Sequence, residues 1–66
     1  MKIKIDKQSD ILYFRFGDNT IIESEEVRPN VIFDFDKQGI IIGVEILGVG
    51  KRLGGKNLDI LQIEFV

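Results

Sequence analysis

Sixty-six residues with nine Lys/Arg, eleven Asp/Glu, no Cys and no His describe one small domain of formal charge −2. Disulfides and the common zinc and haem ligand sets are excluded, so stability has to come from burial within the chain or from a partner subunit. Hydrophobic residues make up 44% of the chain, but no apolar run is long enough to cross a bilayer and Met1–Asp6 lacks the continuous apolar stretch of a signal peptide, so the expectation is a cytoplasmic protein without a membrane partner.

Along the chain, turn signals recur at short intervals, as an antiparallel meander requires. Lys7-Gln8-Ser9-Asp10 separates an expected strand Lys2–Asp6 from a second, Ile11–Phe16. Gly17-Asp18-Asn19 leads into a third, Thr20–Val27, and Pro29-Asn30 supplies the preset φ and the tolerated left-handed conformation of a type II turn. Val31, Phe33 and Phe35 then alternate with Ile32, Asp34 and Asp36, the period of two that a pleated strand imposes. A four-residue loop Asp36–Gly39 with Gly39 left-handed sets Phe35 opposite Ile40, Phe33 opposite Ile42 and Val31 opposite Val44. After Leu47, four glycines interrupt the pattern. Leu58–Val66 fits a sixth strand through Leu61, Ile63 and Phe65, although Leu58, Leu61 and Phe65 also fit a helical stripe.

In this register Ile3, Ile5, Leu12, Phe14 and Phe16 join Val31, Phe33 and Phe35 in the core. Asp34, Asp36, Gly43 and Glu45 share the other face, where Ile11, Tyr13, Ile32, Ile41 and Leu47 would also lie. A sheet of this length cannot bury both of its faces by itself. Those five residues are therefore the expected interface, covered by the C-terminal segment or by a second copy in a two-fold homodimer.

Asp34, Asp36 and Glu45 are the candidate metal ligands, because hard carboxylate oxygens gathered on one face suit Mg²⁺ or Ca²⁺. The competing reading is a solvated strand face in which Asp36 serves the turn through its side-chain oxygen. The acidic run Glu23-Ser24-Glu25-Glu26 alternates its carboxylates between faces and reads as an edge strand protected by like charge. Nucleophilic catalysis lacks a histidine base beside Ser9, Thr20 or Ser24. Gly48-Val49-Gly50-Lys51 lacks the spacing of a phosphate loop. Lys51, Arg52 and Lys56 form the one local basic cluster, and the overall charge argues against a nucleic-acid partner.

Ser9–Phe16, Glu25-Glu26-Val27, Val31–Asp36 through Gly39, Gly43–Leu47 and Lys51-Arg52-Leu53, in unbroken order after Met1–Asp6, resemble the prokaryotic domain of unknown function 2283 family over residues 1–53, leaving 54–66 as an extension. The resemblance brings no catalytic residues and no cofactor. It implies a short helical turn near residues 48–60 and an antitoxin-like or regulatory binding role. The expectation is thus a predominantly or all-β single domain, 1–66, of five to six antiparallel strands. Its expected function is non-enzymatic protein interaction as a homodimer, with acidic metal binding or metal-dependent catalysis through Asp34, Asp36 and Glu45 as the alternative.

Overall fold

β-Branched and aromatic residues dominate up to Leu47, and these side chains favour a pleated surface on which neighbouring strands pack. The structure, a computed structural model, describes residues 1–54 and 62–66. It contains β1 (Lys2–Asp6), β2 (Ile11–Arg15), β3 (Glu23–Arg28), β4 (Val31–Phe35), β5 (Ile41–Leu47) and a single-turn helix α1 (Val49–Arg52). All strand pairings are antiparallel, and the sheet order is β1-β2-β5-β4-β3. The predominantly β fold with five antiparallel strands is as the residues suggested, and the short helical turn falls where the resemblance implied it. The expected sixth strand falls partly on residues 55–61, outside the described ones, and residues 62–66 form no strand.

One connection departs from chain order. β2 pairs with β5 rather than β3, so β2 to β5 make a Greek key in which Gly17 to Ile22 carry the chain from the middle of the sheet to its far edge. Polar contacts fasten this crossing where it passes the β4–β5 hairpin. The Arg15 guanidinium donates to the Gly17 carbonyl (2.6 Å) and to the Asn19 carbonyl. Ile22 N donates to the Phe35 carbonyl at 2.9 Å. Asp36 joins both pieces: its Oδ2 accepts from the Asn19 side-chain amide (3.0 Å), while Oδ1 accepts from the backbone N–H of Gln38 (2.8 Å) and Ile40 (3.0 Å).

The hairpin register differs from the expected one. Val31 pairs with Ile46, Phe33 with Val44, Asp34 with Gly43 and Phe35 with Ile41, with a register shift between Asp34 and Phe35. The loop closes through Asp36 N to the Ile40 carbonyl and Gly39 N to the Asp36 carbonyl, with Gly39 left-handed at φ 79° as anticipated. Phe35 already sits one position past its expected partner Ile40, and β5 spends one further residue around Ile42 in a bulge, so the remaining pairs lie two positions along. An even slip preserves the faces of Val31 and Phe33; the odd step at Phe35 sets Ile41 opposite Phe35 and not opposite Asp34.

Two faces emerge when the pairings are followed across the sheet. On the first, Ile3, Phe14, Val44, Phe33 and Glu25 form one row and Ile5, Leu12, Ile46, Val31 and Arg28 the next. On the second, the rows are Lys4, Tyr13, Glu45, Ile32, Glu26 and Lys2, Arg15, Gly43, Asp34, Ser24. The first face is hydrocarbon over four of its five strands; the second alternates charge with apolar groups.

α1 sits at the end of β5, held by the β1–β2 loop. Asp10, itself left-handed at φ 59°, accepts at its carbonyl from Gly48 N (2.8 Å) and Val49 N (3.3 Å), and at Oδ1 from Gly50 N (2.8 Å). Arg52 reaches the Pro29 carbonyl at 2.7 Å, and Leu47 N donates to the Asn30 carbonyl at 2.9 Å, so the helix and the β3–β4 turn close the same end of the sheet. Asn30 takes the left-handed φ of 65° expected after Pro29.

The Asn19 amide, followed by the Ile40 N–H, holds the Asp36 carboxyl below the ordinary carboxylate range. A carboxyl whose folded pKa is depressed stabilises the fold at pH above its unfolded value and loses that contribution as pH falls through the folded one. Denaturation of the parent chain is therefore expected to become easier on acidification below about pH 4, and Asp36→Asn should be less stable at neutral pH and flatten that part of the pH profile. An Asp36→Asn profile parallel to the parent's would contradict the joint.

Candidate functional site

The second face carries a polar seam that no local strand preference requires. Asp34 on β4 accepts at Oδ1 from Ser24 Oγ on β3 (2.6 Å) and at Oδ2 from the Tyr13 hydroxyl on β2 (3.3 Å). Between β2 and β4 runs β5, and the residue there is Gly43, paired with both Arg15 and Asp34. A Cβ at Gly43 would stand 2.8 Å from Asp34 Oδ2 and 3.1 Å from the Tyr13 hydroxyl. The missing side chain is what lets a tyrosine and an aspartate meet over an intervening strand. One carboxylate thus ties together side chains from β2, β4 and β3, and Asp34 is left only 6% exposed.

The expected metal ligands separate. Asp34 and Glu45 line a common cleft of about 390 Å³ with Lys4, Asp6, Ile11 and Tyr13, whereas Asp36 lines another with Asn19, Thr20, Ile22, Lys37 and Gln38. Among the described residues no group of three His, Cys, Asp or Glu is placed to hold a metal ion. Asp34 already accepts two hydrogen bonds and Asp36 three from side chain and backbone together. A cation would have to displace these donors, which are the groups that hold the sheet and its crossing in place.

Of the expected interface residues, Ile11, Tyr13, Ile32 and Leu47 lie on the seam face, in rows with Lys4, Glu45 and Asp6, and all four are half-buried. Ile41 is set apart from them by the bulge. Lys51 and Arg52 belong to α1, with Arg52 committed to the Pro29 carbonyl, and Lys56 lies outside the described residues. A second cleft of about 420 Å³ opens beside Tyr13 between Met1, Lys2, Lys4, Arg15, Gly17 and Asp18.

Three residues of the seam and its surroundings escaped sequence reasoning. Ser24 was absorbed into the acidic run, although a lone hydroxyl among glutamates on an edge strand was a usable signal. Gly43, inside a strand of β-branched residues, marks a close approach by its presence alone. Asn19 looked like an ordinary turn residue, and its partner Asp36 is 17 positions away.

The chain belongs to the family described as Protein of unknown function (DUF2283), which matches residues 2–49 and so covers all five strands and the start of α1. No curated protein and no solved structure matches it. No helix among the described residues is long and apolar enough to cross a membrane.

Gly43→Ala is expected to destabilise the fold by about 1–3 kcal/mol, because a Cβ there pushes on the Asp34 carboxylate and the Tyr13 hydroxyl and forces the seam apart. The cost should be smaller when Asp34 is already alanine, since the closest clash is with its carboxylate. Urea denaturation of the two single variants and the double variant measures this; strict additivity would show that Gly43 does not serve the Asp34–Tyr13 contact.

Proposed function

We propose that this protein is a non-enzymatic interaction module that works as a homodimer, with the first face of the sheet covered by the same face of a second copy. The observation that carries the reading is the burial pattern. Among the described residues the only buried hydrocarbon side chains are Ile42 (5% exposed) and Val49 (7%), about as deep as Asp34 and Asp36 (6% each). The elements that pack together among the described residues are neighbouring strands, and none of them forms a second layer over either face of the sheet. A single sheet of this size is not expected to be stable without something packed against its apolar side.

The character of the surface supports a second copy as the cover. Rows of Ile, Leu, Val and Phe crossing four strands have the hydrocarbon character of obligate homodimer surfaces. The seam face, which carries Ile11, Tyr13, Ile32 and Leu47, is the weaker candidate because stacking it would desolvate Lys4, Glu45 and Glu26.

Such a dimer leaves two seam faces pointing outward, each with clefts on either side of Tyr13. A regulatory or antitoxin-like protein needs an arrangement of this kind: one face that holds the dimer and another that is free for a different protein. Metal binding through Asp34, Asp36 and Glu45 has less support, since two of the three acids are engaged in holding strands together.

Sedimentation equilibrium should give a dimer at micromolar concentration, with a melting temperature that rises with protein concentration. Val44→Glu, in the middle of the apolar row, is expected to abolish association and folding together, while Ile32→Thr on the seam face leaves association intact. A folded monomer whose melting temperature is independent of concentration would overturn the reading.

A further inference from the structure

Residues 62–66 read Gln-Ile-Glu-Phe-Val and stand in solvent, with Ile63 62% and Phe65 94% exposed. Their alternation is that of a strand with one hydrocarbon and one polar side, yet they pair with nothing in their own sheet. Among the described residues two strands of that sheet have an unpaired edge, β1 and β3. The two edges differ in charge. β1 offers Lys2 and Lys4, with Asp6 at its far end; β3 offers Glu23, Glu25 and Glu26, with Arg28 at its far end.

We propose that residues 62–66 of one copy add as a strand to the β1 edge of the other copy. Charge selects this edge: on the seam side Glu64 meets Lys2 and Lys4 on β1 but Ser24 and Glu26 on β3, where Glu23 and Glu25 also occupy the side that Ile63 and Phe65 would need. The side-chain pattern agrees with it. With Glu64 on the side of Lys2 and Lys4, Ile63 and Phe65 fall on the side of Ile3 and Ile5 and continue the apolar rows beyond the edge of the sheet. The main chain of the added strand satisfies the outward N–H and C=O groups of β1, which is the hydrogen-bonding gain common to strand-addition interfaces. Exchanged symmetrically between two copies, the segments close a two-fold dimer without leaving a free end for further growth. The inference rests on the homodimer reading and adds to it the element that each copy lends the other.

The chain has no cysteine, so thiols can be introduced one per chain. Mixing full-length chains carrying Lys4→Cys with chains carrying Glu64→Cys under a glutathione redox couple should give the mixed disulfide dimer by mass spectrometry. Chains carrying Glu26→Cys, the β3 residue on the same side of the sheet as Lys4, should give none with the Glu64→Cys chain. Ile63→Asp with Phe65→Asp should raise the dimer dissociation constant by about tenfold or more. Glu64→Lys should weaken association, and Lys2→Glu with Lys4→Glu in the same chain should restore it. The proposal is overturned if Glu64→Cys couples equally to β3 or to neither edge, if a chain carrying both Lys4→Cys and Glu64→Cys closes on itself, or if the Asp variants associate like the parent. Should that happen while Val44→Glu still abolishes association, the exchange of segments fails and the face-to-face dimer stands; a monomeric parent chain removes both.

Discussion

Everything in this molecule depends on one constraint: a single antiparallel layer shields its apolar side chains only against their lateral neighbours. Phe14 has Ile3 on one flank and Val44 on the other, and Phe33 has Val44 and Glu25. Above that row there is no second layer among the described residues. Lateral contacts of this kind contribute roughly 0.2–1 kcal/mol per pair, too little to offset the conformational entropy of ordering the strands. In the proposed homodimer the remaining free energy comes from covering the rows, which would tie stability to association.

The polar groups carry out a different task from the one their residue types first suggest. Asp34 and Asp36 look like ligands because they alternate on a strand, but each works as a cross-link. Asp34 binds Tyr13 and Ser24 from strands on either side, through space that Gly43 leaves open. Asp36 binds the crossing segment through Asn19 and the hairpin loop through Gln38 and Ile40. Both acids are as buried as the best-buried hydrocarbons. Satisfied in this way, a buried carboxylate holds a specific strand order, and a chain with so little hydrocarbon core has few other means of doing so.

The fold class was readable from local signals. The alternation of Lys2–Asp6 and Val31–Phe35, the Pro29-Asn30 turn and the left-handed Gly39 are each decided within a few residues, and each is found where it was expected. The strand order was less accessible. Whether β2 meets β3 or β5 depends on contacts such as Arg15 with the Asn19 carbonyl and Asn19 with Asp36, which no periodicity records. The hairpin register shifted for a similar reason, since a bulge at Ile42 adds one residue without disturbing the hydrophobic alternation on either side. Because most of the slip is even, the partition into faces held for Val31 and Phe33 even though their partners changed. The candidate site was legible as residue types and not as an arrangement: Asp34, Asp36 and Tyr13 were singled out, whereas Ser24, Gly43 and Asn19, which explain where the two acids sit, were not.

Hydroxyl-radical footprinting of the full chain at a concentration where it is associated tests the central claim most directly, because each face carries its own aromatic reporter. Phe14 and Phe33 should be protected from oxidation and become reactive on dilution, while Tyr13 on the seam face reacts at every concentration. Protection of Tyr13 with Phe14 and Phe33 open to the radical would place the cover on the wrong face, and reactivity that does not change with dilution would mean that the rows need no cover at all.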